Sequence, residues 1–150
     1  LCGFCTESFK TYDKLFARHS DKIKINLIFS VPLNNKENKA TQIASRVIEI
    51  YKNDGHEKAW QTQKTWFTNR DIEKWQGQFG IGEPSADDVD ETLQYHRNWC
   101  ATNKISYTPA TVIDDQLYPK EYQIADLLLL IDDIIVEKMT DKVLELTREA

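Results

Sequence analysis

The sequence predicts an α/β fold, and three observations carry that expectation. A Cys-X-X-Cys motif, Cys2-Gly3-Phe4-Cys5, stands at the head of a helical stretch, and an alternating apolar run from Ile23 to Val31 follows as a strand. Far downstream a hairpin opens at Thr108-Pro109 and leads into a Leu- and Ile-rich helix. Between these regions, residues from about 36 to 104 read as helical, so a sheet carrying a long helical insertion is expected within one domain spanning 1–150.

Phe9, Tyr12, Leu15 and Phe16 share one helical face within 6–19, and Ser20-Asp21 punctuates the end of that helix. In the next run Ile23, Ile25, Leu27, Phe29 and Val31 fall on one face, β-branched residues are frequent, and Pro32 with Asn34-Asn35 ends it. Four helices are expected in the insertion. The first, near 37–53, stops at Asn53-Asp54-Gly55, and the second, near 56–68, carries Trp60, Trp66 and Phe67. The third has Asp71 in its cap region with Ile72, Trp75 and Phe79 at helical spacing, and the fourth runs from a Ser85 cap to Asn103. Its aromatic residues read first as core and second as a substrate groove. Then the period changes. Tyr107 to Ile113 is strand-like, Asp114-Asp115-Gln116 forms a turn, and Leu117-Tyr118 returns until Pro119. A helix from about Tyr122 to Val136 and a polar, amphipathic tail to Ala150 complete the chain.

Apolar residues make up 41% and charged residues 29%, with a formal charge of −5, the profile of a globular domain with no basic stripe for nucleic acid or anionic membrane. The longest purely apolar run, Leu127 to Ile131, is far short of the roughly 20 residues a membrane span needs. The chain opens at Leu1 directly on the cysteine motif. It therefore reads as a piece of a longer protein whose targeting signals lie elsewhere.

Cys2, Cys5 and Cys100 are an odd count, which does not make a disulfide scaffold. Structural zinc wants four ligands, and His19, His56 and His96 are scattered, so no metal and no cofactor beyond the cysteines is expected. What the motif suits is disulfide exchange. The thiolate is the nucleophile, and a helix N-terminus favours it through unsatisfied N–H groups and a partial positive charge. A spacing of three sets Cys5 one turn from Cys2, near enough to close a bond. Cys2, at the exposed start, is expected to attack, and Cys5, inside the first turn, to resolve the mixed disulfide. Alone, a Cys-X-X-Cys could also be half a metal site or chance. Cys100 reads as a small buried apolar residue or, less simply, as a third redox thiol.

The stretches Leu1-Cys2-Gly3-Phe4-Cys5, Ile25 to Val31, Ile105 to Ile113, and Leu117 to Tyr122 with Asp126-Leu127 together resemble thioredoxin-like domains with a helical insertion, of the DsbA type. The resemblance is greatest to bacterial envelope domains, including those joined to vitamin K epoxide reductase domains. It implies a thioredoxin-like fold, a cis Thr108–Pro109 bond lying against the cysteine pair, and substrate binding at Gly3, Phe4, Thr108 and Pro109. An ordinary trans proline at a strand start is the plain alternative. It further implies protein thiols and disulfides as substrates, a membrane redox partner, and a place in the bacterial envelope or periplasm, with the cytoplasm as the alternative. A different class of reading also fits, a binding or adaptor module with a static Cys2–Cys5 disulfide. The peroxiredoxin reading is weak, since its Pro-X-X-X-Thr-X-X-Cys pattern is absent. The direction of exchange is open, because Gly3-Phe4 places no cation between the cysteines. The strand that should precede the motif is missing from the sequence. The expectation is that residues precede Leu1 or that another segment fills its slot.

Overall fold

The computed structural model describes residues 2–149. Leu1, which opens the motif stretch, and Ala150, which closes the polar tail, lie outside them. Among the described residues there are six α-helices and one two-stranded sheet, in the order α1 (Gly3–His19), α2 (Lys39–Asp54), α3 (His56–Asn69), α4 (Ile72–Phe79), α5 (Asp87–Thr102), β1 (Val112–Ile113), β2 (Gln116–Leu117), a 3-10 turn (Ile124–Asp126) and α6 (Leu127–Glu149).

The α/β, thioredoxin-like expectation is therefore corrected: the described chain is mostly helical. A strand exists only where a ladder partner takes its N–H and C=O groups. The run Ile23 to Val31 keeps its alternation, with Ile23, Ile25, Leu27, Phe29 and Val31 half-buried and Lys24, Asn26 and Ser30 exposed, but it forms no ladder. Its apolar side chains lie against helices instead. Of the stretch Tyr107 to Ile113, Val112 and Ile113 pair with Leu117 and Gln116, and the Thr111 carbonyl accepts from the Tyr118 N–H at 2.8 Å. Asp114 and Asp115 make the connection with φ of 53° and 65°, a left-handed pair that Asp tolerates.

The chain divides into two compact units. One comprises Leu1–Thr6 and Asn26–Pro109 and is organised around α2. On one side of α2, Ile43, Val47 and Ile50 pack with Ala59 and Trp66 of α3 and Trp75 of α4. Trp66 and Trp75 meet edge to face at 6.2 Å, and Trp75 Nε1 donates to the Thr62 carbonyl at 3.1 Å, so the buried indole is both packed and satisfied. On the other side, Ala44 and Ile48 pack with Val89 and Leu93 of α5, where Phe29, Val31 and Leu33 join them. Each fully buried Ile, Val or Leu among them contributes about 1.5–3 kcal/mol.

Local signals set the helix ends. Asn38 Oδ1 accepts from the N–H groups of Ala40 and Thr41 to start α2, and Gly55, at φ 91°, ends it. Asp71 Oδ1 accepts from Lys74 N to start α4. Ser85 is not the cap of α5. Ala86 holds that position, and Ser85 Oγ accepts from Lys36 Nζ at 2.5 Å.

The other unit comprises Glu7–Ile25 and Ala110–Ala150. Leu15, Leu127 and Ile131 form its centre, with Tyr12, Ile23, Ile25 and Ile113 packed against them. Tyr12 Oη and Thr111 Oγ1 hydrogen-bond at 2.6 Å, and burial raises the Tyr12 phenol above its ordinary pKa. In α6 only Leu127 and Ile131 are buried, so its later turns leave Val136, Met139, Val143 and Leu146 exposed. Among the described residues no helix is long and apolar enough to cross a membrane.

Candidate active site

Helix α1 begins at Gly3, so Cys2 occupies the N-cap position and Cys5 lies in the first turn. Cys2 and Cys5 form a disulfide with Cα atoms 5.2 Å apart. The backbone N–H of Cys5 donates to Cys2 Sγ at 3.1 Å. Sulfur thus takes the place that a Ser or Asp oxygen holds at an ordinary helix start, satisfying one of the orphan donors of the first turn. Both cysteines are half-buried, Gly3 is exposed, and the Phe4 ring between them is 81% exposed.

The segment after α5 brings a second element to the sulfurs. Lys104, with φ 55°, ends α5: its N–H donates to the Ala101 carbonyl at 3.1 Å, and Ile105 N–H donates to the Cys100 carbonyl at 2.9 Å. This paired closure is a Schellman cap, and it turns the chain towards Thr108. The Thr108 carbonyl oxygen lies 3.8 Å from Cys2 Sγ, and the Thr108–Pro109 peptide bond is cis. Of the residues expected to form the site, Cys2 is bonded to Cys5 and its sulfur lies 3.8 Å from the Thr108 carbonyl, Gly3 and Phe4 lie in the first turn of α1, and Pro109 follows Thr108 in the chain.

Arg70, which the sequence did not single out, reaches the first turn of α1. It ends α3 in the left-handed region, φ 51° and ψ 24°, with its N–H donating to the Trp66 carbonyl at 2.8 Å. The turn aims its side chain at the first turn of α1, where Nη1 donates to Thr6 Oγ1 at 3.2 Å. The same nitrogen lies 4.0 Å from where a Cβ on Gly3 would stand. The first turn of α1 contains no acidic side chain. Nothing in Asn69-Arg70-Asp71 marks this role, since the proximity is tertiary.

Cys100 stands apart from the pair as a free thiol. It lines a recess of about 230 Å³ with Phe29, Val31, Leu93 and Ile105, and burial pushes its thiol pKa up, which disfavours the reactive thiolate. Among the described residues no group of three or more His, Cys, Asp or Glu side chains is arranged to hold a metal ion.

The chain matches no family model, no curated protein and no solved structure.

Proposed function

We propose that the chain is a thiol–disulfide oxidoreductase acting on protein thiols and disulfides through Cys2 and Cys5. The observation that carries the reading is the Cys5 N–H donated to Cys2 Sγ at the start of a long helix. Once the pair is reduced, that donor and the helix dipole favour Cys2 as the thiolate. In the reducing direction, Cys2 thiolate attacks a substrate disulfide and forms a mixed disulfide, releasing one substrate thiolate. Cys5, deprotonated, then attacks Cys2 Sγ and releases the second, so the substrate gains two electrons and the pair is oxidised. The oxidising direction runs the same steps backwards. The exposed Phe4 ring and the exposed Thr108 flank Cys2 and suit an extended protein segment as substrate. The bacterial envelope, with a membrane redox partner to renew the pair, belongs to the same proposal.

The reduction potential of the pair, measured against glutathione, tests it. A value roughly between −270 and −120 mV is expected of an exchanging pair. A value below about −300 mV would mark a static structural disulfide and favour the adaptor reading.

A further inference from the structure

We propose that the recess beside α5 is the pocket in which a protein substrate seats one apolar side chain, close in sequence to the cysteine that engages Cys2. The inference rests on the oxidoreductase reading and names what such a substrate carries. Leu93, Arg97 and Ala101 stand four residues apart on one face of α5 and contribute to the lining. Phe29 and Val31, from the segment before α2, and Ile105, just after α5, add further apolar surface. Leu93 is buried, Phe29, Val31 and Ile105 are half-buried, and Arg97 and Ala101 are exposed, so the recess has a buried base and an open rim. At about 230 Å³ it exceeds the roughly 150 Å³ that holds a benzene ring and falls short of the roughly 300–1,000 Å³ of sites that enclose a whole small ligand. That is room for one leucine or phenylalanine side chain.

The main chain beside the recess favours a polypeptide over a free small molecule. In the segment 26–31 the Phe29 N–H donates to His96 Nδ1 at 3.2 Å. The main-chain groups of Asn26, Leu27, Ile28, Ser30 and Val31 have no hydrogen-bond partner among the described residues. An extended substrate can pair with such groups, while the adjoining pocket selects one of its side chains.

The recess also lies within reach of the sulfurs. The Ile105 N–H, bonded to the Cys100 carbonyl at 2.9 Å, fixes Ile105 to the end of α5. Thr108 follows three residues later, which holds the two Cα atoms within about 11 Å. The Thr108 carbonyl is 3.8 Å from Cys2 Sγ. An extended substrate advances about 3.3 Å per residue, so a side chain within about five residues of the bonded cysteine reaches the recess. Arg97 adds a charge preference. It has no ion pair or hydrogen bond among the described residues, and Leu93, Gln94, Cys100 and Ala101, its neighbours one turn away, carry no charge. An acidic residue beside the seated side chain complements it.

Polar peptides test this on the full chain. Each carries one cysteine, held as a mixed disulfide with glutathione, and one leucine flanked by glutamate, or serine in place of the leucine. With leucine about four residues from the cysteine, the reduced chain is expected to exchange about tenfold faster than with serine there, and with leucine about twelve residues away the advantage should vanish. Ala101→Trp, which narrows the open rim, should abolish the ratio of leucine to serine. Arg97→Glu should turn a preference for glutamate over lysine beside the leucine into the reverse, by about two- to fivefold each way. A leucine advantage that is absent, or that survives Ala101→Trp, overturns the inference. A second measurement needs no exchange. The leucine peptide with serine in place of its cysteine, titrated into the oxidised chain, should shift the methyl NMR signals of Val31, Leu93 and Ile105. Isocaproate, the leucine side chain on a bare carboxylate, shifting them at lower concentration than the peptide would mark a small-molecule site and overturn the inference. Peptide-induced shifts with no exchange on any peptide would defeat the enzyme reading and leave the recess standing as a peptide site.

Discussion

The Cys5 backbone N–H and Cys2 Sγ meet at 3.1 Å, and the contact distinguishes two sulfurs that are otherwise alike in burial. Cys2 receives a donor and stands at the helix start, while Cys5 supplies that donor from inside the turn. Cys5→Ser is expected to leave a competent attacker with no resolver, so mixed disulfides accumulate and are seen on non-reducing gels. Cys2→Ser should abolish exchange without trapping. Cys100→Ala should retain most of the activity, because burial raises the pKa of that thiol and it is not bonded to the pair. Exchange by Cys2→Ser at the parent rate would reverse the roles.

The loop before α5 offers a test of packing. Gly82 is buried, and a Cβ there would fall on the Arg46 backbone N and within 2.5 Å of the Gln42 carbonyl oxygen, atoms of α2 that cannot give way. Glu83 N–H donates to Glu49 Oε1 at 2.8 Å, which holds the loop at that close approach. Gly82→Ala should cost about 1–3 kcal/mol. Gly77, exposed within α4, has nothing within 4 Å of its Cβ position, so Gly77→Ala should stabilise by about 0.5–1 kcal/mol. Chemical denaturation of the two variants should move the midpoint in opposite directions, and a shared direction would refute the loop's close approach to α2.

Acid stability should depend on His96. Its Nδ1 accepts from the Phe29 N–H at 3.2 Å, and burial lowers its pKa below the ordinary 6.5. The folded state therefore holds the neutral ring while the unfolded chain takes up a proton. The contribution is present in full above pH 6.5 and is lost as pH falls from there through the folded value. His96→Gln should flatten the loss of stability in that window. Urea midpoints at stepped pH would show it, and an equally steep loss in the variant would assign the dependence to other groups.

These sites also show what a sequence makes legible. Asp71, Gly55 and the Cys2-to-Cys5 spacing act through hydrogen bonds and dihedrals a few residues away, so their helix ends and their disulfide geometry could be anticipated. The run Ile23 to Val31 reports burial on one face, and that burial is present. Alternation does not specify what lies opposite, and here helices rather than a neighbouring strand receive Phe29 and Val31. The Ser85 cap failed by one residue, because Ser85 Oγ is engaged by Lys36 from a distant loop. Arg70 was invisible for the same reason: its meaning lies in Thr6, 64 positions away.

Phe4 provides the test of recognition as distinct from reactivity. Phe4 stands between the two cysteines in sequence and its ring is 81% exposed, an expensive placement for an aromatic side chain unless something covers it in use. Because the ring is mostly exposed, Phe4→Ala should shift folding stability by no more than about 0.5 kcal/mol. If a protein substrate covers the ring while its sulfur engages Cys2, part of the burial energy of a phenylalanine is lost in the variant. A loss of about 1.4 kcal/mol corresponds to about a tenfold lower kcat/KM. Glutathione, which brings no extended protein segment to cover the ring, is expected to react at close to the parent rate. The comparison is therefore between two substrates on one variant. A tenfold loss confined to the protein substrate assigns the ring to recognition. An equal loss with glutathione would mean that Phe4 acts on the reactivity of Cys2 itself.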